Sequence, residues 1–130
     1  MKTILVVEDE ALVGMELEEG LTFLGYRVPE VITRGDEVLA AVERVMPDLV
    51  LMDIRISGSL DGIQAAVLVR RNFSIPVIFL TAYNDAQTMA RAAEARPFSF
   101  LIKPFAESQL ASHIEAALKR REELTRPLAP

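Results

Sequence analysis

Short apolar runs alternate along the chain with longer stretches of helical period. The runs are Ile4–Val7, Arg27–Val31, Leu49–Met52, Ile75–Leu80 and Phe98–Ile102. Their length and their β-branched residues predict strands buried on both faces, as in a parallel sheet. Between them lie amphipathic segments. Val13, Leu17, Leu21 and Leu24 mark a first helix that ends at Gly25, a residue suited to a C-terminal cap. Gly14 and Gly20 inside it each cost about 1 kcal/mol relative to alanine, so tertiary packing has to hold it. Val38, Ala41, Val42 and Val45 mark a second helix that stops before Pro47, and Ile63, Ala66 and Val67 a third with Asp61 placed to cap it. A fourth spans about residues 85–95 and is alanine-rich. The last carries Leu110, Ile114 and Leu118 on one stripe.

Five successive βα units imply an α/β doubly wound, five-stranded parallel sheet with right-handed crossovers and helices on both faces. In such sheets the functional crevice lies beyond the carboxyl ends of the strands. Strands one, three, four and five would lie side by side, with strand two at the edge. The residues following each strand are therefore the candidates for chemistry.

Glu8 and Asp9 follow strand one, Asp53 strand three, Thr81 strand four and Lys103 strand five, whereas strand two offers only Pro29 and Glu30. Two carboxylates about 5 Å apart at an effective dielectric near 20 repel by roughly 3 kcal/mol. An apolar strand aimed at Glu8-Asp9-Glu10 therefore needs a cation, a bound proton or open water. Glu8, Asp9 and Asp53 against Lys103 leave an excess of two negative charges, which a divalent ion would cancel. The donors are all oxygen, which favours a hard ion such as magnesium over zinc. Thr81 brings a hydroxyl and Lys103 an ammonium, both able to hold phosphoryl oxygens. Asp53 is then the nucleophile of an aspartyl-phosphate.

The bulk properties narrow the class. At 130 residues, 51% hydrophobic and 25% charged, the chain reads as one globular domain. A net charge of −5 argues against a nucleic-acid surface. Nothing resembles a signal peptide, apolar stretches are too short to span a membrane, and cysteine is absent, so a cytoplasmic location is expected. The sequon Asn72-Phe73-Ser74 carries almost no weight without a secretory signal.

The acidic pair after strand one, the aspartate after strand three, Thr81-Ala82 and Lys103-Pro104-Phe105 occur together in an order that resembles the receiver domain of two-component response regulators, over essentially the whole chain. The resemblance implies a flavodoxin-like (βα)5 fold with strand order 2-1-3-4-5 over residues 1–123, and a short tail over 124–130. It implies phosphorylation on Asp53 by a histidine kinase or phosphotransfer protein. Magnesium, or manganese, would be held by Glu8, Asp9, Asp53 and the backbone carbonyl of Arg55. Thr81 and Lys103 would contact the phosphoryl group, Thr81 and Phe100 would form the switch, and Lys103-Pro104 would be cis. The output would be a protein partner on the fourth helix, fifth strand and fifth helix, with no direct nucleic-acid contact and no membrane insertion. Departures from the family pattern are Glu8 where aspartate is commoner, the long loop "IRISGSLDG" after Asp53, and "EARPFSF" before strand five. Arg55 and Tyr83 stand where side chains tune hydrolysis of the phosphoryl group.

Other readings of the same residues are plainer. Glu8 and Asp9 also suit N-caps of the first helix, and Glu10 its first turn. His113 reads as surface, and Arg70-Arg71 and Lys119-Arg120-Arg121 as solvated helix faces offset by acids such as Glu122 and Glu123. A phosphatase with an aspartyl nucleophile would want a second aspartate where Arg55 stands. A degenerate interaction module would lack some of the five key positions. Because "LTRPLAP" ends the chain, the alternatives for context are a stand-alone regulator, which is favoured, and a receiver excised from a larger regulator or hybrid kinase.

Overall fold

The computed structural model describes residues 1–82 and 86–125. Its elements are β1 (Ile4–Val7), α1 (Ala11–Phe23), β2 (Val31–Ile32), a 3-10 turn (Gly35–Glu37), α2 (Val38–Val45), β3 (Leu49–Asp53), α3 (Gly62–Asn72), β4 (Val77–Thr81), α4 (Ala86–Glu94), β5 (Ser99–Ile102) and α5 (Glu107–Thr125). All strand pairs are parallel, in the order β2-β1-β3-β4-β5. This is the flavodoxin-like arrangement expected from the sequence.

The alternation of side chains along each strand divides the core between two faces. Leu5, Val7, Val50, Met52, Val77 and Phe79 face α2, α3 and α4, where Val38, Val42, Ile63, Ala66, Val69 and Ala92 meet them. Ile4, Val6, Leu49, Leu51, Ile78 and Leu80 face α1 and α5, where they meet Leu17, Leu21, Leu110, Ile114 and Leu118. Every residue of β1, β3 and β4 is buried. Only Ala92 of α4 is buried, so that helix is anchored by little apolar area.

Local expectations change at strand two and at the start of α1. Strand two is shorter than its apolar run: Arg27 makes an isolated bridge with Thr3, and regular pairing resumes only at Val31. Pro29 has no N–H to give to a ladder, so the pairing breaks there. Neither Glu8 nor Asp9 caps α1; Glu10 occupies the N-cap position, without a side-chain hydrogen bond. Asp61 caps α3 as expected, in a reciprocal box with Gln64 at 2.8 and 2.9 Å. The proposed start of the fourth helix at Asp85 lies outside the described residues.

Candidate functional site

The carboxyl ends of β1, β3, β4 and β5 bring their residues to one rim. Glu8, one step past β1, is fully buried, and its backbone N–H donates to Ile32 at 2.8 Å. Asp53 ends β3 and is 8% exposed. Thr81 ends β4, fully buried, and its carbonyl accepts the N–H of Lys103 at 2.8 Å. Lys103 thus leaves β5 in register with the site.

The ammonium of Lys103 ties the rim together. It donates to Glu8 Oε1 at 3.0 Å and to Asp53 Oδ2 at 2.9 Å. The other oxygens of both carboxylates are also occupied. Asp53 Oδ1 accepts the backbone N–H of Arg55 at 2.9 Å, and Glu8 Oε2 that of Glu10 at 3.2 Å. Burial raises the pKa of Glu8, and the nearby charge of Asp53 adds to the rise, against the opposing hydrogen bond from Lys103. Burial works against the charge on Lys103, but its hydrogen bonds to Asp53 and Glu8 outweigh this and hold its pKa above the ordinary lysine value. One cation is shared by two carboxylates in a largely dry place.

Asp9 is exposed and takes a different partner. Its Oδ2 accepts from Ser57 Oγ at 2.9 Å, across 48 residues of sequence. The Ser57 carbonyl in turn accepts the N–H of Gly35 at 2.8 Å, and Gly58 turns the chain with φ +111°. Sequence reasoning missed Ser57; its only signal was the extra length of the loop after Asp53. That loop then closes tightly on the strand, for Gly62 donates to the Ile54 carbonyl at 3.0 Å. Asp9, Arg55 and Ser57 also line an open cleft of about 490 Å³ with Asp61, Thr88 and Arg91. Two of these lining residues, Arg91 of α4 and Asp61, bond each other at 2.9 Å.

Among the described residues, no three acidic, histidine or cysteine side chains gather closely enough as they stand to enclose a metal ion. The donor chemistry nevertheless fits a hard divalent ion: the groups offered are all oxygen, and carboxylates from β1 and β3 both reach one cationic atom within 3.0 Å. That atom is the lysine nitrogen here.

Phe100, half-buried on β5, lies 5.8 Å from Phe79 between ring centroids, tilted by 34°. Phe79 pairs with Phe100 and Thr81 with Ile102, so Thr81 and Phe100 share a face of the sheet one step apart. The Lys103-Pro104 bond is cis, as the resemblance implies. Tyr83 lies outside the described residues. His113 is half-buried rather than on the surface, its Nδ1 lying 2.7 Å from Ser99 Oγ. Two expected offsets of the basic helix ends fall elsewhere, with Arg121 on Asp48 and Glu122 on Lys2.

Comparison with known proteins agrees with this geometry. A sequence model of the response regulator receiver domain matches residues 4–115. The transcriptional regulatory protein PdtaR of Mycobacterium tuberculosis H37Rv is 36% identical over 124 residues, covering 95% of this chain and 60% of PdtaR. The chain thus spans less than two thirds of that relative. The signal receiver domain of a modulated diguanylate cyclase from Desulfovibrio desulfuricans G20 superposes with a TM-score of 0.90 at 34% identity, over 95% of this chain and 98% of that one. The receiver domain of a sensor histidine kinase from Pseudomonas aeruginosa PAO1, with magnesium coordinated in its active-site cleft, superposes with a TM-score of 0.82 at 30% identity, over 91% of this chain and 98% of that one. With its acidic rim, its strand order and its site lysine, the chain belongs to the response regulator receiver domains of two-component signalling.

Proposed function

We propose that Asp53 accepts a phosphoryl group from a phosphohistidine of a histidine kinase or phosphotransfer protein. The observation that carries this reading is the bridge from Lys103 to Asp53 and Glu8, three residues from three strand ends meeting at one atom. In the reaction an Asp53 carboxylate oxygen forms a bond to phosphorus while the P–N bond breaks, and the electron pair returns to the imidazole of the donor. Lys103 follows the transferring oxygens, relieved of part of its present contact with Asp53. Thr81 supplies a hydroxyl to the same oxygens from the next strand. Magnesium or manganese would be held by Glu8, Asp9, Asp53 and the Arg55 carbonyl, and when bound it supplies charge neutralisation at the phosphoryl oxygens. The neighbour with magnesium in its cleft supports that assignment.

The output follows from what the new charge displaces. Thr81 drawn toward a phosphoryl group leaves room on the face it shares with Phe100, and Phe100 moves into it. The thin anchoring of α4 makes this helix the element that responds, and the surface of α4, β5 and α5 meets the downstream partner. The test is covalent labelling. In magnesium with a small acyl phosphate donor, intact-mass spectrometry should show one added phosphate on the wild type and none on Asp53→Asn. Equal labelling of the two rejects Asp53 as acceptor.

A further inference from the structure

The most voluminous of the clefts described is at the opposite end of the sheet from Asp53. It encloses about 810 Å³ between the C-terminal ends of α3, α4 and α5 and the loops that enter β4 and β5. Four arginines line it, Arg70, Arg96, Arg120 and Arg121, and among the described residues no carboxylate does. This is unexpected in a chain of net charge −5. Its remaining lining is mainly apolar and includes the rings of Phe73 and Phe98, both half-buried.

The charge balance decides what the cleft can hold. Arginines in the last turn of a helix are ordinarily explained by the macrodipole, about half a negative charge at each C-terminus. Three such ends do not balance four guanidiniums. Asp48 takes up Arg121 at 2.8 Å, and an excess of between one and two positive charges is still left by that estimate. Arg70, Arg96 and Arg120 are exposed and make no ion pair among the described residues. Arg96 sits in the left-handed region, φ +51°, a conformation that is strained for a side-chain-bearing residue and that glycine adopts freely. The turn could be made more cheaply without this side chain, yet an arginine stands there and faces the cleft.

We propose that this cleft is a nucleotide-binding site, separate from the phosphoacceptor. Guanidinium forks match phosphate oxygens two at a time, and Arg70, Arg96 and Arg120 come from three different elements around one opening. Phe73 and Phe98 offer apolar ring surface for a base, and the volume lies in the range of small-molecule sites. The three arginines hold the phosphates and the two rings take the base. Occupancy would tie the ends of α3, α4 and α5 together, so it bears on α4, the helix that responds to the acceptor site.

The test uses the full chain in EDTA, which removes divalent ions from the rim around Asp53. Fluorescently labelled adenine and guanine nucleotides are titrated at about 0.15 M salt, where loose surface attraction is largely screened, and anisotropy is read. The expected result is saturable binding of at least one nucleotide, weakened about tenfold or more by Arg96→Ala and by Arg120→Ala. Arg71→Ala should bind like the wild type, since it removes the same charge from α3 outside the cleft. Circular dichroism melts confirm that each variant is folded. Absence of saturation by any nucleotide up to about 1 mM, a level that corresponds to only about 4 kcal/mol, overturns the proposal. So does equal weakening by Arg71→Ala, or competition by inorganic pyrophosphate as strong as by the nucleotide, which would reduce the cleft to an unspecific anion patch.

Discussion

Glu8 carries an ionisable group into a place with no exposed surface. Its raised pKa means that the fold holds the proton on Glu8 more tightly than the unfolded chain does. The native state therefore binds more protons above the ordinary glutamate value, and the contribution of this group to stability falls as pH rises through that window. Above the ordinary glutamate value the burial of this group therefore opposes folding. Glu8→Gln should accordingly raise the thermal midpoint at pH 7 and flatten the loss of stability as pH rises above the ordinary glutamate value, while weakening divalent-ion binding. Melting curves from pH 5 to 8 check this, and a lower midpoint for the glutamine variant at pH 7 contradicts it. At this scale the sequence was informative wherever a residue directly followed a strand. Glu8, Asp53, Thr81 and Lys103 could be placed because a parallel sheet converts strand order into proximity. The bond from Ser57 to Asp9 could not, since it depends on the path of an irregular loop. The contact between Ser99 and His113 was hidden for a related reason, as the rotation of α5 about its axis is set by packing.

Element by element, the constraint that bears on the site lies behind Asp53. A Cβ added at Gly62 would fall on the Asp53 carbonyl oxygen and close to the Ile54 backbone. The first turn of α3 is thus pressed against the strand that carries Asp53, and only a residue without a side chain permits it. Alanine gains helix propensity there, at most about 1 kcal/mol, but backbone cannot move aside as a flexible side chain can. Overpacking of this kind costs typically 1–3 kcal/mol. Gly62→Ala should therefore lose about 1–3 kcal/mol of stability and slow phosphorylation of Asp53, both read by urea unfolding and phosphate incorporation. Gain of stability together with an unchanged labelling rate contradicts the close approach. The sequence marked α3 well because Asp61 and Gln64 form a local box. It placed the ends of α2, before Pro47, and of α4, near residue 95, within a residue or so, but not the backbone turns that make them. Met46 and Arg96 take left-handed conformations at φ +48° and +51° without glycine to announce them. Pro29 is the contrasting case: its missing N–H is readable in the sequence, but the apolar run around it masks the break in pairing.

Across the whole molecule, a rigid sheet buried on both faces carries a rim with too many negative charges and one lightly anchored helix. The topology was legible because five apolar runs separated by helices leave few arrangements open. The arginine cleft was not, because its four cations come from three separate stretches of sequence, around Arg70, Arg96 and Arg120-Arg121, each readable as an ordinary helix end or loop charge. The rim makes a prediction about the fold as a whole. A divalent ion that binds the native rim and not the unfolded chain stabilises the protein by RT ln(1 + [ion]/Kd), about 1.4 kcal/mol at ten times Kd. For a domain of this size that is a rise of a few degrees in melting temperature. Magnesium should therefore raise the midpoint relative to EDTA in the wild type, and the increment should shrink in Asp9→Asn, which removes one charge from the rim without touching the Lys103 bridge. Ionic strength is matched with a monovalent salt, so that general screening cannot imitate the effect. Identical midpoints with and without magnesium mean that the two carboxylates are satisfied by Lys103 alone. The excess charge would then belong to the architecture of the rim and have no part in ion binding.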